Sequence, residues 1–252
     1  MVLSINIFML KTYIIIPARY ASTRFEGKPL VKLCGKQMIL WVADICAELL
    51  GKESVFIATD DKRIQSVVNK YGYQSIMTGD CLTGTDRVAE AAKQLEADIF
   101  VNVQGDEPCI NSTDIFKVID VKSKNLGKVV NAYRFLTAKE DSTNVNIPKV
   151  VTTESDKLLY MSRASIPGCK NNAEYSIKKQ VCIYAFTKEE LNVFYNFGRK
   201  SYLEKIEDIE ILRFLDLDKN VLMTEVSTES VAVDCPQDVQ IAEQAIRRRW
   251  KK

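Results

Sequence analysis

The chain has 252 residues, 46% of them hydrophobic and 27% charged, with a formal net charge of +2. That length and composition suit one large domain with a sizeable core, and the near-balanced charge points to neither a nucleic-acid nor a membrane partner. The sequence contains no histidine, which excludes Ser-His-Asp and Cys-His nucleophile systems, histidine bases and histidine metal ligands. Chemistry has to run on carboxylates, lysine, arginine, hydroxyls or a metal ion held by oxygen. Seven cysteines, at 34, 46, 81, 109, 169, 182 and 235, are odd in number, scattered and without a Cys-x-x-Cys pair. Such a pattern suits reduced thiols in a cytoplasmic protein rather than a zinc site or a disulfide framework.

In chain order, Val2 to Leu10 is apolar but too short to span a bilayer, and it lacks a basic leader and a small-residue cleavage site. It reads as a disordered or strand-like lead-in, with Met9 as an alternative start. Ile14-Ile15-Ile16 is a β-branched run of the kind buried on both faces of a parallel sheet. Pro17 is expected to end that strand at the carboxyl edge, where open α/β sheets bind ligands. The loop beyond it is crowded with cations and hydroxyls. Arg19, Arg24 and Lys28 can neutralise a polyphosphate, while Ser22, Thr23 and the amides around Ala21 and Gly27 can donate to its oxygens. The loop has neither Walker A order nor Gly-x-Gly-x-x-Gly order, and a basic loop taken alone is more often a solvated surface.

A helix is expected over 37–50, closed by Gly51, then a strand over 54–58 running into Thr59-Asp60-Asp61, a capping signal for a helix near 61–71 that Gly72 ends. A short strand at 74–78, a helix at 86–95 and a strand at 99–103 follow, the last leading into Gln104-Gly-Asp-Glu-Pro108. Strands alternating with helices predict a mostly parallel sheet with helices on both faces. From about 129 the pattern changes to longer extended runs, 129–137, 148–153 and 181–187, which suggest a smaller antiparallel lobe within a single domain of 1–252. Helices at 187–196 and 204–215, a strand at 221–226 and a helix at 236–250, capped by Asp234 or Pro236, complete the chain. The closing Arg-Arg-Arg-Trp-Lys-Lys reads as a solvated helix end.

Asp106 follows a buried strand beside Gly105, and Asp234 follows the short apolar run Val231-Ala-Val233. Two carboxylates at carboxyl ends of strands form a natural oxygen site for magnesium bridging substrate phosphates, although an aspartate taken singly is more often a cap or turn residue.

Seven segments occur in order: Pro-Ala-Arg-Tyr-Ala-Ser-Thr-Arg-x-x-Gly-Lys-Pro-Leu (17–30), Ala-Thr-Asp-Asp (58–61), Gly-Thr-Asp-Arg (84–87), Asn-Val-Gln-Gly-Asp-Glu-Pro (102–108), Tyr-x-Ser-Arg (160–163), Ile-Tyr-Ala-Phe (183–186) and Val-Asp-x-Pro-x-Asp (233–238). Together they resemble the 3-deoxy-manno-octulosonate (Kdo) cytidylyltransferases over nearly the whole chain from residue 12. The resemblance implies a fold like that of nucleotide-diphospho-sugar transferases, with about 129–225 as the sugar-binding and dimerisation lobe of a homodimer. It implies transfer of CMP from CTP to the anomeric hydroxyl of a 3-deoxy-ulosonic acid, with release of pyrophosphate. By position, Arg19, Ser22, Thr23, Arg24 and Lys28 would hold the triphosphate, with Lys28 also offsetting charge at the α-phosphate. Met77, Thr78 and Thr83-Gly84-Thr85 through Arg87 would line the cytosine pocket. Asp106 and Asp234 would bind Mg2+. Gln104, Arg163, Tyr184 and Glu210 fall where the family contacts the acidic sugar, the alternative for Arg163 and Glu210 being a structural ion pair.

Three positions depart from the family pattern. Gln180 stands where the family usually has His, Ile211 where it has Gln, and Glu26 where it has Pro. With nucleotide and metal positions intact and two sugar-side positions changed, the acceptor is expected to be either Kdo, with the changes tolerated, or a related acid such as an amino-Kdo. A nucleotidyltransferase acting on a sugar 1-phosphate and a nucleotide-binding protein without catalysis are the competing readings.

Overall fold

The computed structural model describes residues 10–21, 25–138, 140–170, 176–227 and 231–250. The expected lead-in at Val2–Leu10 lies outside these residues except for its last position, and Ser22, Thr23 and Arg24 lie wholly outside them.

The first half alternates strands and helices. They are β1 (Thr12–Ala18), a small hairpin of β2 (Lys32–Leu33) and β3 (Lys36–Gln37), α1 (Met38–Leu50), β4 (Val55–Thr59), α2 (Lys62–Lys70), β5 (Gln74–Met77), α3 (Gly84–Ala92), β6 (Ile99–Val103) and α4 (Ser112–Ser123). The second half holds β7 (Val129–Phe135), β8 (Lys149–Thr152), β9 (Leu158–Ser162), β10 (Lys178–Phe186), α5 (Lys188–Asn196), α6 (Tyr202–Glu207), α7 (Leu212–Asp216), β11 (Val221–Glu225) and α8 (Asp238–Trp250). The main sheet runs β11-β7-β10-β6-β1-β4-β5, and the β8–β9 hairpin attaches to β10. β6, β1, β4 and β5 are parallel neighbours, as are β11 and β7, whereas β10 runs antiparallel to both β6 and β7.

Because successive strand residues face opposite sides, the apolar runs divide cleanly between two cores. Ile14, Ile16, Val55, Ile57, Ile99, Val101 and Val103 pack under α1, α2 and α4. Ile15, Phe56, Ala58 and Phe100 face the other way, under α3, α5 and α7. On that second face, Phe214 lies between Phe186 and Phe194, with ring centroids 5.5 and 4.8 Å away.

The structure departs from the sequence expectations in five places. β1 continues through Pro17 to Ala18, because its ladder to β6 already ends at Ile15–Asn102 and an imino acid is tolerated there. The helix α4 was not expected, although Asn111 caps it by accepting from Thr113 N–H and Ile115, Val118 and Ile119 form its buried stripe. The runs at 129–135 and 178–186 belong to the main sheet, and β8 and β9 alone project from it. The helix expected over 204–215 is two short helices, broken where Asp208 adopts a left-handed conformation at φ 49. Lastly, α8 begins at Asp238 rather than at 236, and the N–H groups of Asp234 and Cys235 donate to the Asp238 carboxylate at 2.8 and 2.9 Å.

Phe214 is fully buried, so Phe214→Ala is expected to lower unfolding free energy by about 3–5 kcal/mol, read as a lower urea midpoint at unchanged m-value.

Candidate functional site

The carboxyl ends of β1 and β6 open into a cavity of about 680 Å³ lined by Arg19, Lys28, Thr83, Gly84, Arg87, Gln104, Asp106, Arg163, Glu210 and Asp234 among others. At its centre the Lys28 ammonium lies 2.7 Å from Asp106 Oδ2 and 3.4 Å from Asp234 Oδ1. Each member is placed by its backbone. Lys28 opens a 3-10 turn after Gly27, whose φ of +67 favours glycine and where a Cβ would stand 3.1 Å from the Tyr20 ring. Asp106 follows Gly105, where a Cβ would sit 2.9 Å from Ile39 Cδ1 and 3.2 Å from the Pro17 carbonyl oxygen. Asp234 is drawn to Asp106 by the Val233 N–H, which donates to the Asp106 carbonyl at 2.9 Å, and is held from its other side by Asp238.

Two carboxylates that converge on one cation suit a magnesium ion that takes its remaining ligands from phosphate and water. Among the described residues no group of three or more acidic or cysteine side chains is arranged to hold a metal without such a substrate.

A second cavity of about 330 Å³ shares Gln104, Asp106, Arg163, Glu210 and Asp234 with the first and continues to Arg134, Lys179, Gln180, Cys182 and Tyr184. Along its wall β10 carries an irregularity between Val181 and Tyr184. Buried Asn131 steadies that irregularity by donating to the carbonyls of Val181 and Ile183 at 3.0 and 2.9 Å. The Gln180 amide nitrogen bridges Asn131 Oδ1 at 3.0 Å and the Tyr184 hydroxyl at 3.2 Å.

Several residues that the sequence placed in the site do other work. Arg163 lines both cavities, but its guanidinium donates to the carbonyls of Val145, Glu207 and Asp208 rather than to a carboxylate. Glu210 accepts the Gly84 and Thr85 N–H groups at 3.0 and 2.8 Å, occupying the N-terminus of α3, and burial pushes its carboxyl above the ordinary range despite those bonds. Ile211 is 1% exposed within the second core and lines neither cavity. Thr78 is buried as an acceptor for Arg87, which also pairs with Asp60 at 2.6 Å, and Met77 lies on exposed β5 outside both cavities. Thr85 is buried, lines neither cavity, and binds Glu210 through both its backbone N–H and its side chain. Sequence reasoning missed Asn146, Lys200, Glu204 and Asp208, which line the larger cavity from loops and short helices with no periodic signature.

The chain matches the cytidylyltransferase family over residues 13–224. It is 37% identical to 3-deoxy-manno-octulosonate cytidylyltransferase 2 of Hydrogenovibrio crunogenus, over 93% of this chain and 97% of that protein. It is 35% identical to 8-amino-3,8-dideoxy-manno-octulosonate cytidylyltransferase of Shewanella halifaxensis, over 91% of this chain and 96% of that one. The solved structure of CMP:2-keto-3-deoxy-manno-octonic acid synthetase complexed with CTP superposes with a TM-score of 0.88 at 33% identity, covering 95% of this chain and 99% of the other. Fold and sequence together make this a nucleotidyltransferase. The chain belongs to the cytidylyltransferase family, alongside the Kdo-type members that its motifs resemble.

At the far wall of the smaller cavity Arg134 and Lys179 both pair with Glu140, at 2.8 and 2.6 Å. Burial alone would raise the Glu140 carboxyl, yet the bonds from Lys179, the Thr137 amide and Arg134 together hold it down at about 2. A depressed carboxyl stabilises the fold fully above its unfolded value, ordinarily 4.5, and that stability is lost as pH falls towards about 2. Glu140→Gln is therefore expected to be less stable than wild type at about pH 6, with the gap closing by about pH 2, as followed by denaturant titrations across pH.

Proposed function

We propose that the protein transfers CMP from CTP to the anomeric hydroxyl of Kdo or a close 3-deoxy-ulosonic acid, with magnesium, and releases pyrophosphate. The observation that carries the reading is the Lys28–Asp106–Asp234 meeting at the seam of two adjoining cavities, one large enough for a nucleotide and the other for an acidic sugar. In the reaction the hydroxyl oxygen bonds to the α-phosphorus as the bond from that phosphorus to the bridging oxygen of the β-phosphate breaks. A magnesium ion held by Asp106 and Asp234 would neutralise phosphate charge and acidify the hydroxyl, the task a histidine base performs elsewhere. Lys28, released from the carboxylates, offsets charge that grows on the α-phosphate, and exposed Arg19 meets the outer phosphates. Gln104, which lines both cavities, is placed to donate to an oxygen of either substrate.

The acceptor with an amino group has a specific observation in its favour. Acidic Asp106, Glu107, Asp208, Glu210 and Asp234 line the smaller cavity, while two of its three cations, Arg134 and Lys179, share the Glu140 carboxylate, which offsets one of their two charges. An ammonium on the sugar gains more there than a hydroxyl does. The same reading carries a homodimer acting in the cytoplasm, and α6 leaves Tyr202 and Ile206, one helical turn apart, exposed to supply apolar contact.

Pyrophosphate release measured with CTP, magnesium and a panel of Kdo, 8-amino-Kdo, sialic-type acids and sugar 1-phosphates is expected to be confined to the two Kdo compounds. Release only with a sugar 1-phosphate, or with none of the panel, would overturn the proposal. Asp106→Asn and Lys28→Met are each expected to lower kcat by on the order of a hundredfold or more with the preferred acceptor.

A further inference from the structure

A fully buried ion network centred on Arg213 runs between two residues that line the nucleotide cavity, Glu204 and Thr83. The Arg213 guanidinium, 0% exposed, donates through Nε and Nη2 to both oxygens of Glu204 at 2.7 and 2.6 Å. Through Nη1 and Nη2 it also donates to both oxygens of Asp86 at 2.7 and 3.0 Å. Its guanidinium carbon lies 3.7 Å from the centre of the Phe194 ring. Asp86 in turn accepts from the Thr83 hydroxyl at 2.7 Å and donates its own N–H back to that oxygen at 3.1 Å. Thr83 and Gly84 line the larger cavity, whereas Arg213 lines neither.

From these contacts we infer that Arg213 is a positioning residue for the nucleotide. It acts through Asp86 on Thr83, fixing the 83–87 turn against the segment 204–213 that borders the acceptor cavity. The inference rests on the proposed nucleotide reading of that cavity. Two observations make the role more than packing. A buried ion pair is no better for stability than well-packed apolar side chains of similar volume, so the fold alone gives little reason for an arginine here. In addition, both oxygens of Asp86 are engaged by Arg213, and one of them is the acceptor for Thr83, so the hydroxyl's direction depends on where the guanidinium holds that carboxylate. The segment 204–213 is also tied to the same turn by Glu210 on the Gly84 and Thr85 N–H groups. A carboxylate therefore already fills the end of α3 that could otherwise receive a phosphate, which leaves the side chain of Thr83 as the adjustable group.

The test replaces the network by apolar side chains, Arg213→Met with Asp86→Leu and Glu204→Met, so that no charge is left buried and unpaired, and accompanies it with Arg213→Lys, which keeps the charge but loses the fork. CTP binding is measured by calorimetry without acceptor, thermal midpoints serve as the control for folding, and KM for CTP and for acceptor are determined separately. The triple variant is expected to melt within a few degrees of wild type yet bind CTP about tenfold more weakly, with acceptor KM at saturating CTP changed by less than about twofold. Arg213→Lys is expected to weaken CTP about fivefold, and it carries the test alone should the triple variant not fold. Either folded variant binding CTP within about twofold of wild type overturns the inference, as does a loss that vanishes after correction for the folded fraction. A wild-type protein that takes up no CTP overturns the nucleotide reading beneath it, a result distinct from both.

Discussion

The meeting of Lys28 with Asp106 and Asp234 is the constraint on which the rest of the structure depends. Its members are separated by 78 and 206 residues in sequence, yet one ammonium touches both carboxylates. Like charges repel, and a cation between them lowers the cost of holding the two aspartates together. Lys28 supplies that cation in the protein alone. A triphosphate with its metal would take over the same role, because the phosphates attract Lys28 while the metal satisfies the carboxylates. The site is thus held in shape by an interaction that the substrate exchanges rather than breaks. Partial burial strengthens it, with Lys28 at 16% and Asp106 at 27% side-chain exposure, whereas pairs in open solvent contribute little.

Everything nearby serves to bring those three side chains to one edge of the sheet. β1 and β6 are parallel neighbours, so their carboxyl ends, with the Lys28 loop and Asp106, open on the same side. Asp234 arrives from the far end of the chain and cannot rely on the sheet. It is tied by a backbone hydrogen bond from Val233 to Asp106 and by the Asp238 carboxylate at the start of α8. That helix is anchored in turn by Arg249, whose guanidinium donates to the Cys109 and Ile110 carbonyls just past the Asp106 loop. The carboxylate that comes last in sequence is therefore registered against the carboxylate on β6 from both ends of one helix.

How much of this was legible in the sequence depends on whether a residue's role is local. The strands rich in β-branched and aromatic residues, 14–16, 55–57 and 99–103, and the capped helix after Asp61 follow from patterns a few residues long. The Lys28, Asp106 and Asp234 set was visible because each stands near a glycine or proline after an apolar run, although 231–233, expected as a strand before Asp234, forms none. What could not be read was pairing at long range. β10 reverses direction between β6 and β7, and this long-range pairing, not the alternation that already puts Gln180 and Tyr184 on one face, sets both residues beside the site. Glu210 and Arg163 carry the residue types suited to a sugar, but backbone N–H and carbonyl groups from distant segments claim their charged ends. Ile211 misled for the simplest reason, since the helix expected over 204–215 breaks at Asp208 and the next turn faces it into the core.

The shared wall between the cavities explains why so many roles are doubled. Gln104, Asp106, Arg163, Glu210 and Asp234 face both spaces, so a group placed for one substrate is also in reach of the other. An enzyme that joins two anions has to lower their mutual repulsion at the point of contact and nowhere else. Here the cations at the periphery, Arg134, Lys179 and Lys200, are each paired within the protein, to Glu140, Glu140 and Asp208. Lys28 is the exception in kind, because its partners are the two carboxylates that a metal would claim. On the proposed reading its charge would be freed only when a nucleotide and its metal arrive, and positive charge would then be delivered at the seam where the acceptor enters.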